Sequence, residues 1–196
     1  MANRRFSHAI AEGDGISVVA AVEDADAARA AEAQRAEALV VQGDPAAVRE
    51  STTLPILWRA SVPLSRAAEV ADAVMLVFDA LEEDDGRLES LHDEALALGL
   101  DCAIEVRNEE ELERALERID PEIFLLSPAE AGAAEESPLE FVLDLLAAVP
   151  AGKLAIADLD VTSADEVYEL ERAGVDAVIV HGPDVSPLAG GPPPEV

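Results

Sequence analysis

Short runs of β-branched and aliphatic residues recur eight times along this 196-residue chain, and segments with helical periodicity separate most of them. The runs are Ile16–Val22, Ala38–Val41, Leu54–Trp58, Ala73–Phe78, Cys102–Val106, Ile123–Leu126, Leu154–Ala157 and Ala177–Val180. They are continuously apolar, without alternation of apolar and polar residues, which marks strands covered on both faces. Between them, Glu109–Ile119 sets Leu112, Ala115, Leu116 and Ile119 on one helical face, with Asn108 as N-cap and Pro121 beyond its end. Ser137 and Pro138 form an N-cap and first-turn pair ahead of Leu139, Val142, Leu145 and Leu146. Ser163 and Glu166 have the spacing of a capping box, and Gly174 ends that helix. Ala25–Glu37 is rich in strong helix formers.

Strands that alternate with helices must pair in parallel, because each helix carries the chain back to the starting edge. Eight such units favour a closed barrel over an open sheet, so the expected fold is a minimal (β/α)8 barrel, shorter than the usual ~250 residues. The shortfall falls in the short connection after Val41 and after Val180, where the Pro- and Gly-rich segment 183–196 leaves no room for a full last helix. The expected organisation is one barrel over residues 1–182 and an extended or disordered tail over 183–196. Half the residues are hydrophobic but only 3% are aromatic, so the core must be built from Val, Ile, Leu and Ala.

Charge narrows the partners. The formal net charge is -29, and a field of that sign repels phosphate backbones, which argues against nucleic-acid binding. A solvated acidic surface, docking to a partner with a basic surface, and cation binding by clustered carboxylates all fit the composition. The acidic run Glu82 to Asp85 lacks the loop spacing of a calcium site. No apolar run approaches the ~20 residues of a membrane span. Residues 1–6 carry two arginines without an apolar stretch behind them, so a secretory signal is not expected and a cytoplasmic location is. Cys102 stands alone, which excludes an intramolecular disulfide and a cysteine-based zinc site. No dinucleotide or P-loop glycine pattern occurs, and no cofactor or metal is implied. The oligomeric state is left open.

From Arg5 to about Gly182 the order of segments resembles indole-3-glycerol phosphate synthase, the ring-closing decarboxylase of tryptophan biosynthesis. Its most specific stretch is Leu98–Leu116, LGLDCAIEVRNEEELERAL, which is similar to the family's fifth strand and helix. ISVVAAV at Ile16–Val22 resembles the first strand and LPILWR at Leu54–Arg59 the third. ADAVMLVFDAL at Ala71–Leu81 resembles the fourth, and AGVDAVIV at Ala173–Val180 the entry to the eighth.

The resemblance implies where chemistry would sit and what has changed. The family's first strand offers a glutamate and a lysine, and here those places hold Ala21 and Glu23. Its general-acid lysine on the third strand is matched by Arg59, whose guanidinium keeps the positive charge but is a poor proton donor. The fifth-strand glutamate is kept as Glu105. On the sixth strand the family's asparagine pair and the Arg-Asp-Leu after it give way to Leu126, Ser127, Pro128 and Ala129. A Glu-Ser-Gly segment becomes Asp158, Leu159 and Asp160, and the phosphate-contacting glycine aligns with His181, beside Gly182. The substrate-holding loop after the first strand is missing, since Asp24 leads straight into helix, and so is the Gly-rich loop after the second strand. Carboxylates at Glu23, Asp158 and Asp160 would repel a phosphate by several kcal/mol at an effective dielectric near ~20.

The candidate catalytic residues are therefore Arg59, Glu105 and Asp158, with His181, Gly182 and Ser127 as candidate substrate contacts. Each has a plainer reading: Glu105 and Arg59 as a mutual pair, His181 as a loop histidine with one hydrogen bond, Trp58 as core filling. His8 and His92 read as surface positions. The leading functional expectation is a synthase-like barrel linked to tryptophan biosynthesis, catalytically impaired and acting through protein contacts. The alternatives are an active carboxy-lyase with rearranged catalytic groups, or a repurposed small-molecule binder or enzyme.

Overall fold

The computed structural model describes residues 4–12, 15–59, 63–78, 86–128, 137–182, 184, 185 and 188. Eight parallel strands close into a barrel in chain order: β1 (Ser17–Val22), β2 (Ala38–Val41), β3 (Ile56–Trp58), β4 (Ala73–Val77), β5 (Asp101–Val106), β6 (Ile123–Leu126), β7 (Leu154–Asp158) and β8 (Ala177–Val180). Val19 of β1 pairs with Ala38 of β2 on one side and with Ile179 of β8 on the other, which seals the ring. Helix α1 (Arg5–Ala11) precedes β1, and α2 (Ala25–Ala33), α3 (Ala46–Ser51), α4 (Leu64–Val70), α5 (Arg87–Ala97), α6 (Glu109–Arg118), α7 (Pro138–Leu146) and α8 (Ala164–Ala173) each follow a strand.

The capping signals act where the sequence places them. Asn108 Oδ1 accepts from the Glu111 N–H. Ser137 with Glu140, and Ser163 with Glu166, close reciprocal capping boxes. Gly174 ends α8 in the left-handed region, φ 99°, where a side chain would be strained. Two expectations need correction. α2 stops at Ala33 and not at Glu37, because Arg35 turns left-handed and the Glu37 N–H joins β1 through Val18 O. His92 is not a surface residue: α5 turns Leu88, His92 and Ala95 inward, and burial lowers the histidine's pKa. Trp58 fills core, with its indole N–H donating to Gly43 O.

Two apolar layers result. One lies between strands and helices and includes Val18, Leu39, Ile56, Val74, Ile104, Phe124 and Val178. The other fills the barrel and takes alternate strand positions, among them Val19, Leu57, Met75, Ala103, Leu125, Ile156 and Ile179. Phe6 and Ile10 of α1 belong to this inner layer, so α1 plugs the floor at the N-terminal strand ends. Polar groups there are tied to backbone and to arginine side chains: Asp101 accepts from the Ser7 N–H at 2.9 Å, and Asp72 accepts from the Ile56 N–H and from Arg49 and Arg5.

Of the segment after Gly182, Asp184, Val185 and Leu188 are described; Val185 is buried and its N–H donates to Gln34 Oε1. The remainder of the expected tail and the run Glu82 to Asp85 lie outside the described residues.

Candidate functional site

The alternation that fills the barrel also builds its mouth. Two positions beyond Leu57, Ala103, Ile156 and Ile179 of the inner layer stand Arg59, Glu105, Asp158 and His181. A strand side chain recurs on one face every second residue, so each of the four continues its strand's inward face at the C-terminal end. That end is where barrel enzymes carry their chemistry.

There the four form one chain of charges. Arg59 Nη2 donates to Glu105 Oε1 at 3.2 Å, and Arg59 Nη1 donates to Asp158 Oδ2 at 2.7 Å. The other Asp158 oxygen, Oδ1, lies 2.5 Å from His181 Nε2. Both carboxylates are buried, Glu105 at 3% exposure and Asp158 at 7%. Burial alone would raise the Asp158 pKa, but the His181 hydrogen bond and the Arg59 charge outweigh it and hold the carboxyl below its ordinary value. The same bond raises the His181 pKa, and partial burial of the ring opposes it without prevailing.

Arg107 joins the cluster with Nε 3.7 Å from Glu105 Oε1. Sequence reading passed over it, although its position two residues beyond Glu105 carried the signal, since such positions share a strand face. Ser127 and Gly182 are not hydrogen-bonded into the cluster; the Ser127 N–H extends the β5–β6 ladder to Val106 O. Asp160 and Glu23 are exposed. Asp158 is neutralised by Arg59 and His181, so the mouth is less negative than its list of carboxylates suggests.

A cavity of about 630 Å³ opens beside the cluster, between β1, α2 and the β8 end. Its walls include Ala20, Val22, Ala27 and Val40, while Glu23, Asp26, Gln42 and His181 supply polar groups. Asp24, which also lines it, is occupied as the α2 N-cap, accepting from the Asp26 and Ala27 N–H groups. Among the described residues, no group of three or more His, Cys, Asp or Glu side chains is placed to hold a metal ion, and no helix is long and apolar enough to cross a membrane. Cys102 is buried, and desolvation pushes its pKa up to about 12, which leaves it an unreactive thiol.

Fold and site together define a (β/α)8 barrel with an ion-paired catalytic-face mouth. A family model described as indole-3-glycerol phosphate synthase matches residues 56–183. The chain belongs to the indole-3-glycerol phosphate synthase family. Proteins of that name from Geobacillus thermodenitrificans and Geobacillus kaustophilus are 29% and 30% identical to it, over 68% of this chain and 52% and 53% of theirs. The one from Lachnospira eligens is 32% identical over 68% of this chain and 52% of its own. The chain therefore spans about half the length of the curated relatives it matches. An N-acetylmannosamine-6-phosphate 2-epimerase structure from Clostridium perfringens superposes with a TM-score of 0.70 at 14% identity, covering 86% of this chain and 87% of that one, a likeness of fold alone.

Proposed function

We propose that this barrel is a member of the synthase family that no longer performs the family's ring-closing decarboxylation. The observation that carries the reading is the state of its cations. The chain's only lysine, Lys153, lies before β7 at the floor, where Nζ donates to Asp120 Oδ1 at 2.7 Å. Five strand residues, roughly 16 Å, separate it from the mouth. The residue in place of the acid lysine is Arg59, which cannot readily release a proton and is held by two buried carboxylates. His181, which could otherwise meet a phosphate, is held on Asp158.

In this reading the acidic surface is the chain's means of contacting a partner with a basic face, in connection with tryptophan biosynthesis. A second reading is favoured by the cavity beside β1: the mouth serves another small molecule, one without phosphate. The test is a direct assay with carboxyphenylamino-deoxyribulose phosphate. The expected result is no turnover above that of Arg59→Leu; turnover abolished by Arg59→Leu or Glu105→Gln would establish an active synthase instead.

A further inference from the structure

Asp158 does two separate things with its two oxygens. Oδ2 takes the Arg59 guanidinium at 2.7 Å, which keeps the carboxylate ionised and fixed, and Oδ1 takes His181 Nε2 at 2.5 Å. A histidine held in this way has its ring orientation set and one nitrogen committed. The other nitrogen, Nδ1, has no partner among the described residues. The His181 side chain is 30% exposed and forms part of the wall of the 630 Å³ cavity. An oriented imidazole, a buried carboxylate behind it and an adjoining pocket large enough for a small organic molecule are the elements of a proton-transfer site.

We propose that Asp158 and His181 form a proton-transfer dyad in which His181 Nδ1 exchanges a proton with an uncharged, largely apolar small molecule seated in the cavity between β1 and α2. The ligand class follows from the walls. Alanines and valines line most of the space, and Glu23 supplies negative charge that disfavours an anion, while Asp26 is paired with Arg29. Beside His181 a protonated amine would meet the imidazolium form, which leaves an uncharged group as the partner that fits both protonation states. The inference rests on the reading that the mouth no longer serves a phosphate ester. In the step itself, neutral His181 takes the proton at Nδ1 while Nε2–H stays on Asp158, and the imidazolium then gives the proton back to the product or, where the product is a stable anion, to water. The charged groups acting on the ring are Asp158 of β7, Asp160 just beyond it and Arg59 at the end of β3.

The probe is 5-nitrobenzisoxazole, an uncharged bicycle. Removal of its ring C–H proton breaks the N–O bond and opens the ring to a single product, a coloured cyano-nitrophenolate, so no oxidant or second substrate is needed. The full chain is expected to accelerate this opening roughly tenfold or more over His181→Gln. The rate should rise with pH to an inflection above the ordinary histidine value, and Asp158→Asn should move that inflection downward. Ala30→Phe, which fills the cavity from α2, should reduce the rate while leaving the His181 NMR titration unchanged. Equal rates for the wild type and His181→Gln, or a wild-type rate that Ala30→Phe does not change, would overturn the proposal. Such a result leaves the loss of synthase activity standing, whereas turnover of the synthase substrate would remove that loss without bearing on the probe.

Discussion

The two ends of the barrel each bury carboxylates, and Asp101 at the floor and Asp158 at the mouth are held in opposite ways, although Asp72 at the floor is itself paired with Arg49 and Arg5. At the floor, Asp101 receives a single backbone N–H from Ser7, and burial raises its pKa. At the mouth, Asp158 is buried to a similar degree, yet the His181 hydrogen bond and Arg59 bring its pKa down. Desolvation sets the direction at Asp101, where Ser7 and the charge of Arg4 oppose it without prevailing, whereas at Asp158 it is outweighed by His181 and Arg59. The floor is closed by the apolar side chains of Phe6 and Ile10, and its polar atoms fasten α1 to strands. The mouth is linked by side chains to side chains, across β3, β5, β7 and β8, and it stays partly open to water. An arrangement of the first kind holds a structure shut. One of the second kind keeps charged groups in defined positions beside a cavity.

The largest effect that separates the two ends is expected from Arg59→Leu. It leaves Glu105 with Arg107 and Asp158 with His181 but removes the group that joins them, and loss of one partner from a buried pair costs about 3 kcal/mol. Urea unfolding measures it, and a loss below about 1 kcal/mol would mean that the cluster contributes little to stability.

Next comes a matched pair. Asp158→Asn should cost about 2 kcal/mol near neutral pH, because the charged acceptor paired with Arg59 and hydrogen-bonded to His181 is lost. Asp101→Asn should change stability by no more than about 0.5 kcal/mol, since the amide oxygen still accepts from the Ser7 N–H. Their pH dependences should also have opposite sign. Asp158, with its depressed pKa, contributes stability above the ordinary aspartate value, and this is lost as pH falls through its folded pKa. Asp101, with its raised pKa, disfavours the folded state when ionised, and acidification relieves that. Equal costs for the two substitutions would erase the distinction between Asp101 and Asp158.

The smallest effect concerns His181. Its pKa is raised by the bond to Asp158, so its contribution is fully present below the unfolded histidine value and disappears as pH rises through the folded one. The stability difference between wild type and His181→Gln should therefore shrink with rising pH. Because the ring is partly hydrated, the change should stay below about 1 kcal/mol.

Much of the scaffold could be read from local pattern, because strands and caps are set by near neighbours. The apolar runs became the eight strands, and Asn108, Ser137, Ser163 and Gly174 cap helices as their positions indicate. The end of α2 escaped such reading: its alanines favour continued helix, and pairing of Glu37 with β1 overrides them. At the mouth, the resemblance led to Glu105, Arg59 and Asp158. What it could not convey is that Arg59 reaches residues 46 and 99 positions away, a relation created only by closure of the ring. Nor does any local pattern distinguish Asp158, which is neutralised, from the exposed Asp160 two residues on.

The central claim is that the mouth's cations are committed to its own carboxylates and so do not hold a phosphate. The most direct measurement follows the His181 imidazole resonances by NMR during titration with glycerol phosphate at neutral pH. Unchanged shifts through millimolar additions are the predicted result. A saturable shift of the His181 signals, lost in Arg59→Leu, would show a phosphate seated at the mouth and contradict the account.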